Sequence, residues 1–143
     1  MYGKASDFMH EPTFLTRAST VKEAADIMAE KNIGSVLIGS PEGLEGILTE
    51  RDILKKVVSR GLDPQATIVS DIMTAEIVTV EAEADIHRIA SKFTTNSIRR
   101  LPVTEAGNVV GILTTRDITR TFIPEFFRDH PSFKEIKEYK KTG

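Results

Sequence analysis

Two short runs carry residue types that could bind a small charged molecule. Thr49, Arg51 and Asp52 stand in the order Thr-x-Arg-Asp, and Thr114, Arg116 and Asp117 repeat that order 65 residues later. A threonine at a helix start leaves backbone N–H groups and a hydroxyl facing outward, a ready anion site. A carboxylate three positions on can accept two hydrogen bonds from the vicinal hydroxyls of a ribose. A nucleotide supplies both partners. The same residues also have a purely structural use, since threonine is a good N-cap and a carboxylate in the first turn sits at the positive end of the helix dipole. Capping accounts for the threonine and the aspartate. It accounts poorly for the arginine and for a second near-identical copy, because many other sequences would cap equally well.

The duplication extends well beyond these residues. Gly46-Ile47-Leu48-Thr49-Glu50-Arg51-Asp52-Ile53 and Gly111-Ile112-Leu113-Thr114-Thr115-Arg116-Asp117-Ile118 agree at seven of eight positions. Asp7-Phe8-Met9 returns as Asp71-Ile72-Met73, Thr16 as Thr79, and Asn32 to Ile38 align with Ser97 to Val103. The chain is an internal repeat of two units. Each unit of about sixty residues is small for a self-sufficient core, so the pair is the expected folding unit.

Each copy must hold its motif between a strand and a helix. In the first, Thr13 to Thr16 reads as extended, and Thr20-Val21-Lys22-Glu23 has the spacing of a capping box. Val21, Ala24, Ala25 and Met28 then follow at helical spacing, which predicts a helix over 21–31. The apolar runs Ser35 to Ile38 and Leu44 to Leu48, separated by Gly39, Pro41 and Gly43, predict a β-hairpin. From Thr49 the period becomes helical again, with Ile53, Leu54, Val57 and Val58 on one side and Gly61 as the stop. The second copy repeats this order: extended Ile77 to Val80, a helix carrying Ile86, Ile89, Ala90 and Phe93, strands Leu101–Val103 and Val109–Leu113 about a turn at Ala106-Gly107-Asn108, and a helix from Thr115 that Pro124 is expected to end. Gly61 and Pro64 mark the connection. The tail from Pro124 to Gly143 mixes aromatic and charged residues and reads as a short amphipathic helix or a frayed end.

Composition sets wider bounds. The 143 residues are 40% hydrophobic and 28% charged with a net charge of −2, ordinary values for a globular domain. No apolar run reaches the roughly 18 residues that suggest a membrane span, and Lys4, Asp7, His10 and Glu11 interrupt any signal-peptide core. A cytoplasmic protein with no membrane partner is expected. Cysteine is absent, which excludes disulfides, thiol catalysis and thiolate metal sites. Opposite charges are interspersed, so nucleic acid is not an expected partner; Lys134, Lys137, Lys140 and Lys141 are diluted by Glu135 and Glu138. His10, His87 and His130 share no metal-binding spacing and read as surface residues. Glu81, Glu83 and Asp85 read as a solvated helix start. Neither a nucleophile with its base nor a phosphate-binding glycine loop is present.

Taken together, the Asp-Phe-Met and Asp-Ile-Met openings, Ile98-Arg99-Arg100-Leu101-Pro102-Val103 and the two Gly-Ile-Leu-Thr-x-Arg-Asp-Ile segments resemble a tandem pair of cystathionine-β-synthase (CBS) motifs, a Bateman module, over residues 7 to about 123. The resemblance implies an α/β (α+β) fold of two β-α-β-β-α units packed as a pseudo-twofold pair, with residues 1–66 forming the first motif and its connection, 67–123 the second and 124–143 a tail. It also implies two clefts for adenosine-containing ligands: AMP, ADP, ATP or S-adenosylmethionine. One cleft would place Thr13, Phe14, Ile33 and Gly34 around the base with Ile112, Thr114 and Asp117 at the ribose and phosphate. The other would use Ile77, Val78 and Ile98 with Ile47, Thr49 and Asp52.

The halves differ where charge matters. Arg99 and Arg100 stand where the first half has Gly34 and Ser35, and in similar modules basic residues here reach ligand phosphates. Each either does so or pairs with a surface carboxylate; strand alternation predicts that the two face opposite ways. Arg51 and Arg116 either reach phosphate or face solvent. By resemblance the chain is expected to be a non-enzymatic regulatory module, with no catalytic residue and no metal, that binds an adenine nucleotide, forms a homodimer through its exit helices and acts on an unidentified regulated protein. The alternative is a structural dimerisation or interaction module with S-adenosylmethionine or no ligand.

Overall fold

The computed structural model describes residues 3–128, with side chains as far as residue 122. Two three-stranded sheets carry the molecule, each built in the order of the sequence repeat. The first half runs α1 (Ala5–Phe8), β1 (Phe14–Leu15), α2 (Val21–Lys31), β2 (Ser35–Ser40), β3 (Gly43–Thr49) and α3 (Glu50–Ile53), which passes directly into a π-helical stretch at Leu54–Val58. The second runs α4 (Val69–Ile72), β4 (Val80–Glu81), α5 (Ile86–Asn96), β5 (Arg100–Glu105), β6 (Asn108–Thr114) and α6 (Thr115–Arg128). In both sheets the short first strand lies parallel to the second, and the second and third form an antiparallel hairpin.

Local chemistry fixes the long helices. Thr20 Oγ1 accepts from Glu23 N at 3.1 Å while Glu23 Oε2 accepts from Thr20 N at 3.2 Å, the capping box that the sequence predicts for α2. Helix α5 is capped by Asp85, whose carboxylate accepts from Arg88 N at 2.9 Å. Both helices end at an equivalent left-handed residue, Asn32 with φ 54° and Ser97 with φ 51°, which turns the chain straight into the second strand. The acidic patch resolves into that cap, an exposed Glu81, and Glu83 paired with Lys4 Nζ at 2.9 Å.

Alternation along the central strands gives each sheet two buried faces. Val36 and Ile38 join Val21, Met28, Leu48 and Val57 in one core cluster; Leu101 and Val103 join Ile89, Phe93 and Leu113 in the other. Leu37 and Pro102, between those pairs, are buried on the opposite sheet faces. The opening helices cross over between halves. Ala5 of α1 is buried in the second cluster, and Val69 and Ile72 of α4 in the first. The chain after each helix then bridges to the far half's third strand, His10 to Ile112 and Thr74 to Ile47. Close approach at these crossings depends on glycine. A Cβ on Gly111 would lie 2.9 Å from Met9 Cβ, and one on Gly46 would lie 2.8 Å from Met73 Cγ.

Several sequence-based expectations are corrected. Pro124 does not end the last helix, which continues to Arg128; proline removes one N–H bond, to the Arg120 carbonyl, but its own fixed φ is helical. Of the stretch Ile77 to Val80 only Val80 enters a strand. The first exit helix is not a plain α-helix, and its apolar side divides: Val57 is fully buried, while Leu54 and Val58 are 60% and 65% exposed. Most of the tail lies outside the described residues, His130 with it.

Filling the glycine notch should be costly. Gly111→Ala is expected to lower unfolding free energy by about 1–3 kcal/mol through overpacking against Met9, read from the urea midpoint, and Met9→Ala in that background should recover part of the loss. An unchanged midpoint for Gly111→Ala would show that the crossing is loosely packed.

Candidate functional site

Both Thr-x-x-Asp runs sit where a third strand ends and a helix begins. Thr114 N and Oγ1 donate to Asp117 Oδ2 at 2.8 and 2.9 Å, and Asp117 N donates back to Thr114 Oγ1 at 3.3 Å. Thr49 and Asp52 repeat this, with 3.0 Å from N, 3.0 Å from Oγ1 and 3.2 Å for the return bond. The capping use of these residues is therefore real, and it consumes one carboxylate oxygen. The other oxygen faces a nitrogen-bearing side chain of the chain itself. Asp117 Oδ1 pairs with His10 Nε2, and Asp52 Oδ1 lies 3.1 Å from Lys56 Nζ. Asp117 is nearly buried, at 8% side-chain exposure.

A cleft opens at each box. The larger, about 610 Å³, collects Thr13, Ile33 and Gly34 from the first half with Ile112, Thr114, Arg116 and Asp117 from the second. The smaller, about 240 Å³, collects Ile47, Thr49, Arg51 and Asp52 from the first half with Ile77, Val78 and Ile98 from the second. Every cleft residue read from the sequence lines its assigned cleft except Phe14, which is registered with Leu37 in the β1–β2 ladder and is not among the lining residues.

Arg99 and Arg100 line both clefts. Arg99 is exposed and Arg100 is not, and β5 begins only at Arg100, so Arg99 lies outside the regular strand. Its carbonyl instead accepts from Thr115 N at 3.0 Å, holding the start of α6. Arg100 is half-buried, and its Nη2 lies 3.6 Å from Glu50 Oε1 of the other half. Burial holds its guanidinium below the ordinary arginine value, while the Glu50 carboxylate works in the opposite direction. Its equivalent in the first half is Ser35; a Cβ on Gly34, one position earlier, would meet Arg100 Cζ at 3.3 Å and its Nη2 still closer. The missing side chain in one copy makes room for the guanidinium of the other.

The site also contains residues that pattern reading missed. His10 is exposed as expected, yet it lines the larger cleft and contacts its carboxylate. Aligning the two openings would have flagged it, since His10 follows Met9 as Thr74 follows Met73, and Thr74 lines the smaller cleft. Arg120 joins the larger cleft one helical turn after Arg116. Glu50 and Glu76 add carboxylates to the smaller one. Among the described residues no group of three or more His, Cys, Asp or Glu could hold a metal ion, and no helix is long and apolar enough to cross a membrane.

Comparison with known proteins fits this geometry. The CBS domain model matches twice, over residues 5–59 and 69–123. The chain belongs to the CBS-domain family. It is 34% identical over 115 residues to the CBS domain-containing protein CBSX3, mitochondrial, of Arabidopsis thaliana, a match covering 77% of this chain and 56% of that protein, so it spans little more than half of that relative. Identity to Hypoxic response protein 1 of Mycobacterium tuberculosis is 36% over 107 residues, 74% of each chain. Among solved structures, Hypoxic Response Protein I with two coordinated zinc ions is similar with a TM-score of 0.72 and 34% identity over 82% of this chain and 97% of that one. A CBS domain protein from Pyrobaculum aerophilum complexed with AMP gives 0.73 and 27% over 80% and 88%. A hexameric CBS-CP12 protein from bloom-forming cyanobacteria gives 0.77 and 26% over 97% and 82%. A tandem CBS pair is a regulatory module, and both copies are present in this chain.

The caps set a stability expectation. Thr49→Ala and Thr114→Ala should each cost about 0.5–2 kcal/mol in chemical denaturation, and Asp117→Asn, which keeps an acceptor for Thr114 N, should cost less than Asp117→Ala. Equal losses for the two Asp117 variants would show that its charge, not the cap bond, holds the helix start.

Proposed function

We propose that this CBS pair is a non-enzymatic ligand sensor that binds an adenine nucleotide, AMP, ADP or ATP, between its halves and passes the occupancy to a regulated protein or to its own assembly. The observation that carries the reading is the composition of each cleft. A Thr-x-x-Asp helix start from one half shares each cleft with apolar residues from the other, and arginines are among the lining residues. Ile33 and Ile112, or Ile77, Val78 and Ile98, would flank the purine. The second oxygen of each aspartate would take the ribose hydroxyls, with His10 or Lys56 giving way. Arg99, Arg100, Arg116 and Arg51 would meet phosphate through their forked donors. The AMP complex of the Pyrobaculum aerophilum protein supports this ligand class.

A ligand that binds only the folded chain at a hundredfold excess over its Kd stabilises it by about 2.7 kcal/mol, so AMP, ADP or ATP should raise the melting temperature by several degrees and GMP or CMP by less. Asp117→Asn should weaken binding at the larger cleft by about ten- to a hundredfold in calorimetric titration, the value of a charge-assisted bond. Equal thermal shifts with every nucleotide, or unchanged affinity in Asp117→Asn, would leave the boxes as helix caps alone.

The exposed Leu54 and Val58 support a homodimer through the exit helices, although the CBS-CP12 protein is hexameric. Phe122 of α6 packs against Phe8 with ring centroids 5.7 Å apart and ring planes tilted by 56°. Sedimentation of the whole chain should give a dimer that Leu54→Glu converts to monomer; a wild-type monomer at high micromolar concentration would contradict this.

A further inference from the structure

We propose that the two clefts are unequal and antagonistic: the larger takes a nucleoside di- or triphosphate, the smaller takes a nucleoside or its monophosphate, and a phosphate chain in the first weakens anion binding in the second. The proposal rests on the adenine-nucleotide reading and adds which ligand each cleft takes and how they interact.

Forked cations are in short supply between the clefts. A symmetric duplication would give each cleft its own cations after the second helix, but the first half offers Gly34 and Ser35 there, so Arg99 and Arg100 are a single pair lining both clefts. What remains to each cleft privately is unequal. The larger keeps Arg116 and Arg120, with His10, against Glu11 and Asp117. The smaller keeps Arg51 against Asp52 and Glu76. Without the shared pair the larger cleft has Arg116, Arg120 and His10 beside Glu11, Asp117 and Glu50, while the smaller has Arg51 as its lining cation beside Asp52, Glu76 and Glu50, with Lys56 paired to Asp52. Arg100 already leans toward the larger side, because its guanidinium lies over Gly34, and Gly34 lines only that cleft.

Volume points the same way. About 610 Å³ lies inside the range of roughly 300–1,000 Å³ for pockets that enclose a whole small ligand, and about 240 Å³ lies below it. A base with its sugar suits the smaller space; a chain of phosphates does not. When a polyphosphate draws Arg99 and Arg100 to itself, an anion in the smaller cleft loses two of its three forked donors and still faces the Glu50 and Glu76 carboxylates. An uncharged nucleoside there loses nothing. Because coupling between two bound ligands is reciprocal, a monophosphate in the smaller cleft weakens the triphosphate by the same factor.

Calorimetric titration of the whole chain with magnesium-free ATP, AMP and adenosine, singly and in sequence, tests this. The expected result is one ATP per chain, weakened about ten- to a hundredfold in Asp117→Asn, and adenosine binding to ATP-saturated protein, weakened by a similar factor in Asp52→Asn. Saturation with ATP should weaken AMP at the smaller cleft by about tenfold or more while leaving adenosine within about twofold, and Arg100→Gln should reduce both the ATP affinity and this antagonism. Two equal ATP sites, or AMP binding indifferent to ATP, would overturn the proposal while leaving nucleotide sensing intact. Failure of all three ligands to bind would overturn the nucleotide reading and this proposal together. The wild-type titrations need no variant, so the antagonism is decided even if a substitution unfolds the chain.

Discussion

A carboxylate with two differently engaged oxygens is the constraint around which each half is arranged. Asp52 and Asp117 each use Oδ2 to tie the last strand residue to the first helical turn. That bond makes strand and helix meet at one fixed point, and the meeting point is the floor of a cleft. The remaining oxygen must then face the cleft, because its partner is already committed to the backbone. A buried carboxylate without a partner is costly, and the chain meets that demand from two different directions: Lys56 reaches back along its own helix, whereas His10 arrives from the opposite end of the sequence. Capping thus uses one oxygen of each carboxylate and leaves the other to Lys56 or His10.

Some of the differences between the copies lie in side chains that enter the space between them. The cores are close to interchangeable, with Val36, Ile38 and Leu48 answering to Leu101, Val103 and Leu113. The clefts are not. Glycine in one copy and arginine in the other are a matched pair, since the guanidinium occupies the volume that a side chain at position 34 would fill. Steric complementarity across the pseudo-symmetry axis allows a basic residue to stand near the centre of the molecule, half-buried and held by Glu50.

Much of the architecture was legible because its signals are local. The Thr20–Glu23 spacing announces α2, and the hairpin runs announce β2 and β3; each element is specified within a dozen residues of itself. The motif's position between strand and helix followed from the same signals. What escaped the sequence is non-local or too short to have a period. Helices of four residues, α1 and α4, carry no amphipathic pattern, and nothing in Asp7-Phe8-Met9 says that it docks on the other copy. His10 became a cleft residue only because of that docking. The π-helical stretch likewise left no mark: Leu54, Val57 and Val58 fit an α-helical face on paper, but the wider turn places Val57 inside and its neighbours outside. Phe14 was assigned to the cleft with its neighbour Thr13, yet adjacent residues of an extended chain point to opposite sides.

The crossing of the opening helices bears on how such a chain could arise. Each core is completed by a segment encoded in the other copy, so a lone repeat would leave its own core short of Val69 and Ile72, or of Ala5, and its own opening helix without a seat. The arrangement is that of two arm-exchanged subunits joined end to end. A single-copy forerunner would have been obliged to assemble as a pair, and fusing two genes would have changed an intermolecular exchange into an intramolecular one at no cost to the packing. Once both copies lay in one polypeptide, selection could act on them separately, a freedom that an assembly of identical subunits does not have. Gly34-Ser35 in one copy and Arg99-Arg100 in the other is a difference that identical subunits cannot hold.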